Sequence, residues 1–296
     1  MMHRSGFVNI VGNPNVGKST LMNRLVGERI SIITSKAQTT RHRIMGIVNT
    51  ETMQIVYSDT PGVLRPNYKL QQTMLDYSES ALGDADVLLY MTDTVEKTDK
   101  NVDFLHRIQK ANCPVLLIIN KIDLTNQPAL EKLALTWHEL LPEAEIYPIA
   151  AQLGFNVDIV QKRIEELIPP SPPYFDKDAL TDRPARFFVT EIIREKILLY
   201  YQKEIPYSVE VAVEQFVESE ALIHIKSLII VERESQKGII IGHRGQALKK
   251  VGMMARKDLE KFFDKKIYLE MYVKVEEDWR NRGTLLQKYG YQINEQ

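Results

Sequence analysis

Gly12-Asn13-Pro14-Asn15-Val16-Gly17-Lys18-Ser19, continued by Thr20, separates a strand-like run at 7–11 from a helix-like run at 18–26. Two glycines flank four residues and precede Lys-Ser, the spacing of a phosphate-cradling loop between a strand and a helix. Phosphate oxygens need many inward-pointing backbone N–H groups, a helix N-terminus and one mobile cation. The glycines let the backbone approach closely, Lys18 is placed to reach the β- and γ-phosphates, and the Ser19 hydroxyl can ligate Mg²⁺.

The surrounding pattern fits that reading. Strand-like runs at 7–11, 44–50, 53–59, 87–91, 115–120 and 145–149 alternate with helix-like runs at 18–26, 69–82, 100–110, 129–140 and 157–168. This order predicts a mainly parallel α/β sheet with helices on both faces. The short connection between 44–50 and 53–59 predicts a hairpin and one antiparallel strand.

Two further motifs complete a nucleotide site. Asp59-Thr60-Pro61-Gly62 follows a strand. The Asp59 carboxylate can hold Mg²⁺ through water, and Gly62 can offer an unobstructed N–H to a γ-phosphate. Asn120-Lys121-Ile122-Asp123 follows another strand. Asp123 can accept from both N1–H and the exocyclic amine of guanine, donors that adenine lacks, and an unmatched buried carboxylate is costly. Lys121 can lay its aliphatic stem on the base, and Asn120 can tie the base loop to the phosphate loop. One threonine of Gln38-Thr39-Thr40-Arg41, with Thr40 favoured over Thr39, is expected to complete the Mg²⁺ shell and to mark an order–disorder switch. The metal set is then Ser19, Thr40 and Asp59.

These elements, in this order, resemble the GTPase G domain. The resemblance places Ile149-Ala150-Ala151-Gln152 at the base loop, where the family usually carries Ser-Ala. Ala151 keeps a backbone N–H for the guanine carbonyl, while Ala150 lacks the usual serine hydroxyl. Many small GTPases follow the glycine equivalent to Gly62 with a water-positioning glutamine. Here Val63 and Leu64 follow, as in the hydrophobic-substituted GTPases, where an asparagine at the position of Asn15 can help hold K⁺ beside the phosphates. The resemblance implies slow hydrolysis raised by K⁺ or a partner, with Asn15, Lys18, Thr40 and Gly62 as the catalytic set.

The 296-residue chain is long enough for two domains at roughly 100–200 residues each. Apolar residues at 44% and charged residues at 26% are an ordinary globular balance. A net charge of −1 excludes recognition of nucleic acid by overall basicity, so any such contact needs a local patch. With one cysteine, Cys113, no intrachain disulfide forms, as suits a reducing cytosol. No secretory signal pattern and no apolar run of about 20 residues is present, so a cytoplasmic location is expected. Ile168-Pro169-Pro170-Ser171-Pro172-Pro173 cannot continue a helix. It suggests a first domain at 1–170, a linker at 171–185 and a second domain at 186–296.

The second domain reads as a helix at 187–201, a strand at 209–217, two short strands at 222–226 and 228–231, a helix at 246–263, a strand at 267–275 and a short helix near 282–289. Between them the apolar, strand-like run Gly238-Ile239-Ile240-Ile241 leads into Gly242-His243-Arg244-Gly245. Two glycines around two polar residues let a backbone pass close to nucleic-acid phosphates. Alone this pattern is weak. From 237 to 266, however, nine basic side chains stand against three acidic ones, a local +6. Leu248, Val251, Ala255, Leu259 and Phe262 form the expected core face of the long helix. The candidate RNA contacts are Ile241, Gly242, His243, Arg244, Gly245, Lys249 and Lys250. The dispersed histidines show no metal spacing.

Helix, two strands, glycine clamp, helix and last strand resemble a type II KH domain, which reads about four unpaired nucleotides. One G domain followed by such a KH domain resembles the Era family of bacterial ribosome-assembly GTPases. The match runs over nearly the whole chain, with specific points at Gln38-Thr39-Thr40-Arg41-His42-Arg43, Val231-Glu232-Arg233-Glu234 and Ala255-Arg256-Lys257-Asp258. The resemblance implies binding of GTP, GDP and Mg²⁺, and binding near the 3′ end of 16S ribosomal RNA in the 30S subunit, with the GTP state controlling access. It also implies peripheral association with the inner face of the cell membrane. Two other classes compete. A GTP-powered RNA-modification factor would need a second catalytic constellation, and the sequence offers none. A structural RNA-binding protein with a vestigial nucleotide site is at odds with intact Lys18, Ser19, Asp59 and Asp123.

Overall fold

The computed structural model describes residues 2–95 and 102–293. Contacts divide the chain into two units: residues 1–66 with 74–182, and residues 67–73 with 183–296.

The first unit is built on β1 (Arg4–Gly12), α1 (Lys18–Val26), β2 (Ile44–Asn49), β3 (Met53–Asp59), α2 (Lys69–Gly83) from residue 74 onward, β4 (Val87–Asp93), α3 (Val102–Gln109), β5 (Val115–Asn120), α4 (Gln127–Leu140), β6 (Glu145–Pro148) and α5 (Val157–Leu167). The sheet order is β2-β3-β1-β4-β5-β6. Only β2 runs antiparallel, in the hairpin with β3. β4 and most of β1 and β5 are buried along their length, as expected of central parallel strands covered on both faces. Positions 100 and 101 of the expected third helix lie outside the described residues.

The segment after α5 does not run free. The Gln54 side chain accepts from the N–H groups of Tyr174 and Phe175 and donates to the Phe175 carbonyl. Leu180 accepts from the Ile47 N–H at 2.9 Å, the Thr181 hydroxyl donates to the Met45 carbonyl at 2.7 Å, and the Met45 N–H donates to the Asp182 carboxylate at 3.1 Å. Residues 171–182 thus group with the first unit, because a proline-rich path, having no helix of its own, satisfies its backbone on a strand's outer side.

The second unit contains α6 (Ala185–Tyr200), α7 (Ile205–Ser208), β7 (Glu210–Glu218), β8 (Leu222–Val231), α8 (Glu234–Ile241), α9 (Gln246–Phe263), β9 (Lys266–Val275) and α10 (Gly283–Lys288). Its sheet order is β7-β8-β9, with β8 antiparallel to β7 and parallel to β9. Ile193, Ile197, Ile225, Ile229, Val251, Ala255 and Leu259 meet in its core.

Three expectations are corrected here. The two short strands at 222–226 and 228–231 are one strand, because the buried Ser227 hydroxyl donates to the Glu270 carbonyl and the ladder to β9 runs unbroken. The strand-like run at 238–241 is the end of helix α8. The Gln236 side chain accepts the N–H groups of Glu232 and Arg233 at the helix start, and Ile240 is buried while Ile239 is exposed. Phe262 is not core: it is exposed and stacks on Phe188 at 5.1 Å between ring centroids. Among the described residues no helix is long and apolar enough to cross a membrane.

Candidate functional site

The loop from Gly12 to Lys18 leaves the buried end of β1 and opens α1, whose first-turn N–H groups are without intrahelical partners. Gly17 has φ 104°, and a Cβ there would stand 2.3 Å from Asn120 Nδ2, so no side chain fits. Asn15 also takes a left-handed conformation, at φ 66°. An open cleft with about 500 Å³ of free space lies over this loop. Pro14, Asn15, Gly17, Lys18, Ser19 and Thr20 line it on the loop side; Thr40, Gly62, Asn120, Lys121 and Asp123 face them.

Gly12, Asn13, Val16, Asp59, Thr60, Pro61, Ala150 and Ala151 are not among the lining residues; of these, Val16, Asp59, Thr60 and Ala151 are almost wholly buried. The Thr60 hydroxyl donates to the Ile10 carbonyl, pinning the end of β3 to β1. The Lys18 ammonium donates to the Gly12 and Asn13 carbonyls at 3.0 and 2.8 Å, so in this structure it closes its own loop.

Ser19, Thr40 and Asp59 converge. Ser19 Oγ donates to Asp59 Oδ2 at 2.6 Å and lies 3.0 Å from Thr40 Oγ1, which donates to the same carboxylate oxygen at 3.3 Å. Burial raises the Asp59 carboxyl above the usual range, and the nearby Lys18 charge and hydroxyl donors oppose that rise. Its other oxygen, Oδ1, is buried without a hydrogen-bond partner. Two hydroxyls beside a carboxylate with an unsatisfied buried oxygen are a donor set suited to a hard, oxygen-seeking divalent cation. Thr39 points elsewhere, its hydroxyl donating to the Lys36 carbonyl at 2.6 Å.

At the base side, the Asn120 amide donates to the Val16 carbonyl at 2.8 Å, and its oxygen accepts the Ala151 N–H at 2.9 Å. One side chain thereby ties the phosphate loop to the base loop. The same bond changes the reading of Ala151, whose N–H is engaged by Asn120 and does not stand open to a base. Gln152 lines the cleft. Asp123 is exposed on the short 3₁₀ turn Ile122–Leu124. Val63 is buried among Val11, Phe104 and Leu105, turned away from the cleft, and its N–H donates to the Gly12 carbonyl.

Sequence reasoning missed Arg24 and Lys36. The Arg24 guanidinium donates to the carbonyls of Ala151 and Gln152 and so braces the base loop from α1. Lys36 lines the cleft, and burial lowers its pKa. Neither carries a local signal, since Arg24 meets its partners 127 and 128 residues away.

In the second unit, α8 and α9 flank the exposed loop of His243 and Arg244. Gly242 sits at φ 70°, ψ 179°, and a Cβ there would lie 2.6 Å from the Ala247 Cβ, which demands glycine. Beside the loop runs a groove of about 370 Å³, with Leu248, Leu269 and Met271 among its apolar lining and Lys249 and Arg256 as its basic residues. Ile241 and Gly245 bracket the turn. Lys250 projects differently, its ammonium 5.2 Å from the ring centroid of Tyr200 on α6.

The family model described as a 50S ribosome-binding GTPase matches residues 7–121, and a KH domain model matches residues 204–280. GTPase Era of Geotalea uraniireducens is 45% identical and covers 98% of both chains. GTPase Era of Geotalea daltonii is 44% identical, covering 97% of this chain and 98% of its own. Two solved structures superpose with a TM-score of 0.93 at 39% identity, covering 98% of this chain and all of theirs. One is Era in complex with MgGDPNP and nucleotides 1506–1542 of 16S ribosomal RNA; the other is an Aquifex aeolicus Era variant bound to GDP.AlF4⁻.

Proposed function

The chain belongs to the Era family of GTPases, and from that premise we propose that it hydrolyses GTP to GDP and phosphate to time its binding of 16S ribosomal RNA near the 3′ end during 30S subunit assembly. The observation that carries the nucleotide half is the convergence of Ser19 and Thr40 on the buried Asp59, whose second oxygen is bare, with Ser19 and Thr40 lining the same cleft as Asp123. Ser19, Thr40 and Asp59 would hold Mg²⁺, which when bound neutralises phosphate charge.

The chain's own residues do the rest. The N–H groups of the Gly12–Lys18 loop and the start of α1 cradle the phosphates, with Lys18 moving from its loop carbonyls to the phosphate oxygens. Gly62 offers its N–H to the γ-phosphate. Asp123 reads the guanine donors, Lys121 covers the base, and Asn120 keeps both loops in register. Val63, buried and apolar, orients no water. Hydrolysis by these residues alone is therefore slow; Asn15 would hold K⁺, which, like a bound partner, would supply charge beside the phosphates.

The Gly242–Gly245 turn clamps single-stranded RNA by its backbone, with His243 and Arg244 at the phosphates and the neighbouring groove taking bases. The place of action is the cytoplasm, with membrane contact peripheral. Binding of a 16S 3′-end RNA to the nucleotide-free, GDP-bound and GTP-analogue-bound protein tests the timing. Affinity is expected to differ among the states, and identical affinity in all three overturns it. Changing both His243→Asp and Arg244→Asp should abolish RNA binding and leave GTP binding. Loss of both activities would overturn the assignment of separate sites.

A further inference from the structure

Strand β4 ends beside the base motif, with Asp93 in register with Asn120 of β5. Consecutive residues there grip Lys121. The Thr94 hydroxyl donates to the Lys121 carbonyl at 3.1 Å. The Lys121 ammonium donates to Asp93 Oδ2 at 2.6 Å, and the Val95 N–H donates to Asp93 Oδ1 at 2.9 Å. Asp93 is buried, whereas the lysine side chain keeps about a third of its exposure. The same ammonium also donates to the Asn15 carbonyl at 2.7 Å.

Both joined backbones are unusual. Lys121 has φ 62° and Asn15 φ 66°, left-handed conformations that L-residues adopt at a cost and keep only where neighbours hold them. Laying a lysine stem across a base costs rotamer freedom, and a fixed partner for its ammonium lowers that cost by holding the side chain in place beforehand. Asp93 supplies that anchor, and the shared ammonium carries it on to the phosphate loop.

We propose that Asp93 is a positioning residue for nucleotide retention: acting through Lys121, it locks the guanine-reading turn to the phosphate loop at Asn15, so that the base and phosphate ends of the site open together. The proposal rests on the reading of Asn120–Asp123 as the base site. Neither contact involves the γ-phosphate, so the lock acts on GDP and GTP alike and sets the rate of exchange ahead of the rate of bond cleavage.

The test measures dissociation of fluorescent GDP and GTP analogues from the full chain, with ATP competition of the unaltered protein in parallel. Asp93→Asn keeps the shape of the side chain and removes its charge. Dissociation of both nucleotides should speed up about tenfold, more than any change in single-turnover hydrolysis. On a Lys121→Met background the same substitution should add less than about twofold, and Asp93→Glu should restore slow release in part. An equal effect with and without Lys121, or unaltered release in Asp93→Asn, overturns the proposal. If Asp93→Asn does not fold, Lys121→Met in the otherwise unaltered chain replaces it, removing the ammonium shared by Asp93 and Asn15; release of GDP and GTP should speed up alike, and unaltered release there likewise overturns the proposal. Failure of the unaltered protein to prefer GTP over ATP would strike the base-site reading itself, a separate result.

Discussion

Replacing Asn120 with alanine breaks two bonds by removing one side chain. The Val16 carbonyl loses the amide donor at 2.8 Å, and the Ala151 N–H loses its acceptor at 2.9 Å. Asn120 is 4% exposed, so neither partner gains ready access to water. A neutral hydrogen bond contributes about 1 kcal/mol net, and stranding a buried partner costs about 1–3 kcal/mol. Two stranded partners therefore cost about 3 kcal/mol, or roughly 100-fold in an equilibrium constant. The loss divides between the resting fold and the nucleotide complex, because the side chain joins the two loops that enclose the ligand. Urea unfolding of the GDP-saturated protein reads the total, and titration with fluorescent GDP reads the share that appears as affinity. A total below about 1 kcal/mol would falsify the view that Asn120 holds the phosphate and base loops together.

Val63→Gln puts an amide among Val11, Phe104 and Leu105; it should cost about 1–3 kcal/mol in thermal or chemical unfolding without raising steady-state phosphate release, and faster turnover would contradict the buried placement of residue 63. Asp123→Asn, at an exposed position, should leave folding intact, weaken GTP at least about 100-fold and favour xanthosine triphosphate in competition binding; retained GTP preference would contradict the base assignment. Burial, aided by the Asp86 charge, raises the Cys113 thiol above its ordinary range. The native state therefore keeps that proton as pH rises past about 8.5, and the stability this contributes below the unfolded-state pKa is lost as pH climbs through the native one. Iodoacetamide should accordingly label the folded protein more slowly than the urea-unfolded chain at the same mildly alkaline pH, and equal rates would count against it.

The parts of the site that were legible in the sequence are those whose geometry is local. Gly12–Ser19 and Asn120–Asp123 each set their own backbone, and both lie where their flanking strands and helices placed them. The Era resemblance, drawn from those motifs and the Gly242–Gly245 clamp, holds over 98% of the chain. Residues 238–241 misled because three isoleucines in a row satisfy strand and helix alike. The decision came from Gln236 capping the turn and from tertiary packing that buries Ile240 alone of its neighbours. Ser227 read as a break between two strands, yet a buried hydroxyl that finds a carbonyl interrupts nothing. Asp93 and Arg24 had no sequence signature because their partners lie 28 and 127 residues away. A contact of that range exists only once the sheet has assembled.

The strap at residues 174–182 has a consequence for solubility. β2 is the terminal strand of its sheet, and a terminal strand's unpaired N–H and C=O groups are a template on which another chain can add. Here the outward N–H groups of Met45 and Ile47 and the Met45 carbonyl are already taken by Asp182, Leu180 and Thr181. At the opposite side, β6 is four residues long and ends in Pro148, which has no N–H to offer. The stretch that looked like a plain spacer thus seals the sheet against edge-to-edge aggregation, and deleting it would expose a sticky strand as well as shorten a tether.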